Sequence, residues 1–396
     1  MSQEEKSALF PTYARFPLTL VRGEGSRLWD DRGREYLDFA SGLAVTNLGH
    51  VPPKVKEALV EQLGRLWHVS NLFHIPGQEK LARLLTSISC ADAAFFCNSG
   101  AEANEAAIKL ARRYHSKVLQ SGRYEIITFK MSFHGRTMAT LTATGQDKVK
   151  DGFDPLLPGF VHAPFNDAAA LEAYVNDKTA AIMLEFVQGE GGVNPADPEF
   201  VKEIVRLCDK HGLLLIADEI QTGMGRTGTM FAYEQYGVEP DIITLAKGLG
   251  SGFPLGAMLG KAKLVDAFSA GSHATTFGGT PIAMAAAIAT VEQMLEEKLP
   301  ERAARMGEKA VALLREKLAE HPLVKQIRGR GLLIGIECAE PVADLIGEIR
   351  ERGLIVVPAG PNVIRLLPNL LVSEEELERG IAIIADVLTK RSAPVR

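Results

Sequence analysis

LLLIADEIQTGMGRTG, residues 213–228, is the stretch on which the architecture turns. Its first five residues, Leu213 to Ala217, are apolar without alternation, and they stop at an acid, Asp218. A strand that is apolar on both sides has to be covered on both sides, as happens in a parallel sheet flanked by helices. Short runs of the same kind recur around it: AAFFCNSG (93–100), YEIITF (124–129), AAIMLEFV (180–187) and DIITLAK (241–247). Between them the spacing predicts amphipathic helices, one from about Ala101 to Arg113 and one carrying Phe200, Ile204, Leu207 and His211 on a single face. Strands alternating with helices make the middle of the chain α/β.

The two ends have a different pattern. RLWDDRGREYLDF (27–39) alternates apolar and polar residues around Asp31 to Gly33, which predicts a hairpin. Beyond Leu299 a long helix, the strands GLLIGIEC and VIRLL, and a closing helix EEELERGIAIIADVL predict an α+β unit. The expected organisation is an N-terminal segment (1–50), a large domain (51–299) and a C-terminal part (300–396), with the two ends together forming a smaller domain.

Bulk properties exclude several function classes. A net charge of -5 with acids and bases interleaved offers no basic stripe for a nucleic-acid backbone. No apolar run reaches membrane-spanning length, so no membrane partner is expected. The four cysteines, at 90, 97, 208 and 338, lack CxxC spacing and read as free thiols rather than metal ligands. MSQEEKSALF has acids where a signal peptide needs positive charge, and a reducing, cytoplasmic setting is expected.

Three motifs carry chemistry. In NSGAEANEAAIKLAR (98–112), Asn98, Ser99 and Gly100 join a strand to a helix start, where free N–H groups suit a phosphate. Asp218 arrives at the carboxyl edge of a parallel sheet, where ligands of such sheets collect. A nucleotide hydrolase also places an acid after an apolar run, but it needs GxxxxGK[ST]; the nearest match, GAMLGKAK, is one residue short. In DIITLAKGLGSGFPLGA (241–257) a further strand ends at Lys247 before a glycine turn, a setting that desolvates the amine and makes it nucleophilic. GLGSG does not meet the dinucleotide spacing, so a nicotinamide cofactor is discounted. A phosphate cradle, an anion and a reactive amine are what pyridoxal 5'-phosphate requires for its phosphate, its pyridine nitrogen and its aldehyde.

On these motifs, from about Tyr13 to the final helix, the chain resembles the class III aminotransferases of the acetylornithine and succinylornithine group. The resemblance implies the fold-type I architecture of pyridoxal-phosphate transferases, with a mostly parallel seven-stranded sheet, and a homodimer with shared active sites. It further implies that Ser99, Gly100 and Ala101 form the phosphate loop and that Phe133 of SFHGRT stacks on the cofactor. Asp218 would meet the pyridine nitrogen, Ile220 the ring face and Gln221 the phenolic oxygen, with Lys247 as the Schiff-base lysine. Thr276 of HATTFGGT would reach the phosphate of the neighbouring subunit. Taken alone, Phe133 or Ile220 would sooner be core residues.

For substrate, Arg136 (FHGRT) and Arg365 (VIRLLP) match the family's two arginines, and a guanidinium fork suits a carboxylate. Glutamate offers two carboxylates; an acylated ornithine reacting at its δ-amine offers only a distant one, for Arg136. Glu190 of QGEGG matches the gating glutamate that would then pair with Arg365. Thr275 and Tyr13 match substrate-contact positions. Leu43, where ornithine aminotransferases usually carry tyrosine, favours an acylated substrate. The expected reaction moves the δ-amino group of N-acetylornithine to 2-oxoglutarate in arginine biosynthesis; ornithine, 4-aminobutyrate, succinylornithine or a carrier-linked lysine precursor are the alternative donors. Thr280, where the family usually has asparagine, departs from the pattern.

Overall fold

The computed structural model describes residues 7–391. Its centre is a seven-stranded sheet in the order Ala93–Cys97, Gly256–Gly260, Ile242–Leu245, Leu214–Asp218, Thr179–Leu184, Glu125–Phe129, Phe160–Ala163. Every residue of Thr179–Leu184, Leu214–Asp218 and Ile242–Leu245 is buried, as strands covered on both faces require. Neighbouring strands pair in parallel except Gly256–Gly260, which runs antiparallel to both its neighbours. That strand is the GAMLG segment, whose glycines hide its strand character in the sequence.

Covering helices follow the expected pattern. Gly100–Arg113 buries Ala103, Ala106, Ala107, Ala111, Ile108 and Leu110. Pro198–His211 buries Phe200, Val201, Ile204, Leu207 and Cys208, carries Lys210 and His211 in its last turn, and stops at Gly212 with φ 64°. Phe129, Phe165 and Phe200 meet edge to face beneath it, with centroids 5.1–6.0 Å apart.

Strands from both chain ends pair outside the central sheet. The hairpin strands Arg27–Asp30 and Glu35–Asp38 form a sheet with Leu20–Glu24 on one side and, from the far end of the chain, Leu354–Ile355 on the other. A second sheet joins Val324–Arg330, Leu333–Cys338, Val363–Leu366 and Val357–Pro358, and places Arg365 opposite Gly335 and Val357. The helices Leu299–Leu318 and Glu374–Lys390 pack beside these sheets.

One buried side chain ties this region to the central sheet. Arg226, fully buried, donates to the carbonyls of Leu332 and Pro368 and, at 2.7 Å, to Asn47 Oδ1. Just before Asn47, residues 41–44 wind the wrong way: Ser41, Gly42, Leu43 and Ala44 have φ of 45°, 60°, 68° and 64°. Ala44 N–H donates to Ala40 O and Val45 N–H to Ser41 O, closing one left-handed turn. Asp38 Oδ1 starts it by accepting from the N–H groups of Ala40 and Ser41. Among the described residues, no helix is long and apolar enough to cross a membrane.

Candidate active site

The carboxyl edge of the sheet opens into a cavity of about 440 Å³ lined by Ser99, Gly100, Ala101, Phe133, Arg136, Asp218, Ile220, Gln221 and Lys247. These are nine of the residues singled out in the sequence, drawn from four separate strand ends. Val45, His134 and Glu185 line the same space.

The loop after Ala93–Cys97 forms one wall. Ser99, in an extended conformation, caps the helix Gly100–Arg113 by accepting from Glu102 N–H at 3.2 Å. Glu102 reaches back to Asn98, taking its backbone N–H at 2.7 Å and its amide at 2.9 Å. The N–H groups of the first turn are thereby held towards the cavity at the positive end of a 14-residue helix. Gly100 is needed for space: a Cβ there would stand 2.9 Å from Ile220.

Asp218 is 3% exposed, and donors surround it. Asn104 Nδ2 and His134 Nδ1 meet its Oδ2 at 2.8 and 2.7 Å, and Ile220 N–H meets Oδ1 at 3.1 Å. Asn104, one helical turn beyond Gly100, and His134, inside SFHGRT, were not singled out by the sequence reading. The i, i+4 spacing from Gly100 is the signal that could have found Asn104. The imidazole is assigned as the Nδ1–H tautomer by this contact.

Lys247 follows the strand Ile242–Leu245 with φ 43°, a conformation rarely adopted by a residue with a side chain. Burial pushes its amine below the ordinary lysine range, Glu190, Asp218 and Glu185 pull it back, and Arg365 adds to the depression.

The two arginines differ. Arg365, 1% exposed on its side chain, is ion-paired to Glu190 and donates to Gln221 Oε1 at 2.9 Å. Glu190 lies in the loop between the short paired strands Val187–Gln188 and Asn194–Pro195, and Gln221 Nε2 donates to it at 3.3 Å. Burial raises the Glu190 pKa, but Arg365 outweighs that and holds it below the ordinary carboxylate range. Gly189 has no room for a side chain, since a Cβ would fall 2.1 Å from Gln221 Oε1. Arg136, in contrast, is exposed, with its guanidinium 5.6 Å from the centre of the Phe133 ring, and has no ion-pair partner among the described residues.

Five sequence candidates lie outside the cavity lining: Glu190 and Arg365, which adjoin it through Gln221, and Thr275, Thr276 and Tyr13. Thr275 Oγ1 accepts from Asn98 Nδ2 at 3.3 Å and from Gly278 N–H at 3.1 Å, beside the loop that caps the helix Gly100–Arg113. Thr276 and Tyr13 are exposed and lie outside the cavity lining.

The donor set suits pyridoxal phosphate: helix-terminal N–H groups for a phosphate, an acid fixed by three donors for a ring nitrogen, apolar Phe133 and Ile220, and a depressed lysine amine. The cavity falls in the usual range for a small-molecule site.

Comparison with known proteins agrees. The family model for aminotransferase class-III matches residues 10–388. An acetylornithine aminotransferase of Halalkalibacterium halodurans is 58% identical over 386 residues, covering 98% of this chain and 99% of its own. That of Bacillus subtilis is 51% identical over 391 residues, with 98% and 99% coverage. Among solved structures, the ornithine aminotransferase of Toxoplasma gondii superposes with TM-score 0.93 at 34% identity, covering 97% of this chain and 93% of that one. The N-acetylornithine aminotransferase of Stenotrophomonas maltophilia superposes with TM-score 0.83 at 38% identity, covering 96% and 97%. With a cavity that carries this donor set and a match running almost from end to end, the chain belongs to the class-III aminotransferases, enzymes dependent on pyridoxal phosphate.

Proposed function

We propose that this enzyme moves the δ-amino group of N-acetylornithine to 2-oxoglutarate, giving N-acetylglutamate semialdehyde and glutamate. The observation that carries the reading is the asymmetry of the two arginines. A substrate whose single carboxylate lies far from the reacting amine needs one open guanidinium, Arg136, and a second kept neutralised, as Glu190 does for Arg365. The names borne by the relatives at 48–58% identity support the same donor.

Bound in the cavity, pyridoxal phosphate supplies an aldehyde that takes up the amino group and a ring that stores the electrons released at the substrate carbon. The first-turn N–H groups of Gly100 and Ala101 would hold its phosphate, Asp218 its ring nitrogen, Gln221 its phenolic oxygen, and Phe133 and Ile220 its ring faces. Lys247 Nζ would bind the aldehyde and, once displaced by substrate, serve as the base and acid that carries the proton from the substrate carbon to the former aldehyde carbon. Burial lowers the pKa of that amine and so favours the unprotonated form that a base requires. Arg136 would orient acetylornithine; for glutamate, Glu190 would swing off Arg365 and free it for the α-carboxylate. The two half-reactions alternate on one site.

We further propose a homodimer in which Thr276 completes the partner's phosphate site. Trp67, Leu72, Phe73 and Phe277 are 63–88% exposed, a large apolar area for a free surface. The segment bearing the first three is laced to the Thr276 loop by Asn71 to Thr275 O and Gly278 O, Gln78 to Gly279 O, and Thr280 to Trp67 O. Residues 51–299 would form the cofactor-binding domain, with both ends forming the smaller one. The four cysteines are free thiols, three of them buried, in keeping with a cytoplasmic setting and a place in arginine biosynthesis.

The test is the visible absorption of the holoenzyme on adding N-acetylornithine, succinylornithine, ornithine or 4-aminobutyrate. Fastest bleaching at low concentration by N-acetylornithine is expected; a faster alternative donor would replace the substrate assignment.

A further inference from the structure

Glu185 is absent from the roles described so far, yet it lines the cofactor cavity and is only 6% exposed. Its position follows from strand register. Thr179–Leu184 and Leu214–Asp218 run side by side in parallel, and their last register pair is Leu184 with Ala217. The next residue on each, Glu185 and Asp218, therefore leaves neighbouring strands at the same height, roughly 4.8 Å apart across the sheet.

Two carboxyl groups so placed, both buried, do not both ionise cheaply, and the proton goes to the one with fewer donors. Asp218 accepts from Asn104, His134 and Ile220 N–H. Glu185 accepts one bond, from Phe133 N–H to Oε2 at 3.0 Å, and Oε1 has no hydrogen-bond partner among the described residues. The charged groups around it are Asp218 on the adjacent strand, Lys247 beyond the next one, and Glu190 in the loop that follows.

We propose that Glu185 serves the reaction as an uncharged carboxylic acid. One oxygen anchors the Phe133–Arg136 loop through the Phe133 amide, and the other presents a hydrogen-bond donor to the cofactor cavity. Burial, reinforced by Asp218, pushes this carboxyl well above the ordinary range, and the Phe133 amide and Lys247 offset that only in part. A neutral donor suits this place, because a second carboxylate would compete with Asp218 for the ring nitrogen and repel the substrate carboxylates brought in by Arg136. Through the loop, Glu185 is a positioning residue for Phe133 and Arg136. The inference rests on the class-III cofactor site and not on which amino donor is used.

The experiment compares holoenzymes of the parent, Glu185→Gln and Glu185→Ala. Gln keeps one acceptor for the Phe133 amide and one donor for the cavity. Difference infrared spectra at neutral pH are expected to show a protonated-carboxyl band in the parent that Glu185→Gln removes. Glu185→Gln should retain kcat/KM within about threefold and an unshifted pH profile, whereas Glu185→Ala should weaken cofactor reconstitution and raise KM for 2-oxoglutarate by about tenfold each, some 1.4 kcal/mol. A parent without the band, a Gln variant as impaired as the Ala variant, or an Ala variant equal to the parent would each overturn the proposal. Should Glu185→Ala fail to fold, the infrared band and the Gln variant decide. Failure of the class-III reading itself would look different, since no amino donor would then bleach the parent.

Discussion

Arg365 is closed off by Glu190: the buried guanidinium gives one Nη to that carboxylate and, at 2.9 Å, to Gln221, leaving it no free fork for a ligand. Removing the charge on Glu190 while keeping its shape should leave Arg365 as an uncompensated buried cation whenever the substrate lacks an α-carboxylate near the reacting carbon. For Glu190→Gln we expect the N-acetylornithine half-reaction to slow at least about tenfold, ~1.4 kcal/mol, and the glutamate half-reaction to change by less than about threefold. Stopped-flow measurement of each half-reaction checks this; equal losses would show that the pair is no switch.

Arg136 should be shared by both substrates and Arg365 used by one. Arg136→Lys, which keeps the charge but loses the fork, is expected to raise KM for both N-acetylornithine and 2-oxoglutarate by about tenfold. Arg365→Lys should raise KM for 2-oxoglutarate alone. Steady-state kinetics with each substrate varied would reveal the split, and an Arg136→Lys effect confined to one substrate would refute the assignment.

The exposed face around Phe277 bears on assembly. Phe277→Asp should lower the sedimentation coefficient to that of a monomer and release the cofactor with it, because a charge in an apolar interface is costly. Thr276→Ala should leave sedimentation unchanged and weaken cofactor binding about tenfold. Mixed dimers of Thr276→Ala and Lys247→Ala subunits should keep one intact site, since each lesion falls in the same one; activity no higher than that of either homodimer would rule out sharing across the interface.

Glu219 couples stability to pH. Burial pushes its carboxyl from 4.5 up to about 7, offset in part by bonds from Thr222 and the Tyr233 N–H. The folded chain therefore holds a proton that the unfolded chain has lost, and the stabilisation is full below the unfolded value and drains as pH rises through about 7. Glu219→Gln, neutral at every pH, should gain on the parent by up to ~3 kcal/mol between pH 5 and 8, by the conversion of 1.36 kcal/mol per pKa unit. Melting temperatures at the two pH values test this, and a difference that does not grow with pH would contradict it.

Arg226 binds three segments together, through Asn47, Leu332 and Pro368. Burial lowers its pKa to about 9, with Asp38 pulling the other way. A lysine cannot fork to three acceptors, so Arg226→Lys should cost about 2–4 kcal/mol in urea denaturation. A loss under about 0.5 kcal/mol, the size of an ordinary surface change, would mean the junction is held elsewhere.

What could be read in the sequence was whatever expressed itself locally. Leu214–Asp218 and Ile242–Leu245 announce themselves because both faces are buried, and Asp218 and Lys247 stand out as polar residues ending apolar runs. Gly256–Gly260 and Phe160–Ala163 escaped, the first because its glycines imitate a phosphate loop and the second because four residues hold no period. The partners of Asp218 were hidden for a different reason: Asn104 and His134 lie 114 and 84 residues away in sequence, and only the folded sheet brings them together. Glu185 was concealed inside AAIMLEFV, where strand register, invisible in one dimension, sets it beside Asp218.

The wrong-handed turn at residues 41–44 has a consequence for synthesis. Left-handed backbone costs an L-residue roughly 1–2 kcal/mol because its Cβ crowds the following carbonyl, and only Gly42 is exempt. At Leu43 and Ala44 the mirror-image amino acid is the relaxed one. A semisynthetic chain carrying D-alanine at position 44 should therefore be more stable than the all-L enzyme by about 1 kcal/mol, whereas the same inversion at Ala107, in the right-handed helix Gly100–Arg113, should weaken it. Inverting one stereocentre thus has opposite effects in two places, and the chirality of the chain becomes a probe of where this enzyme stores its strain.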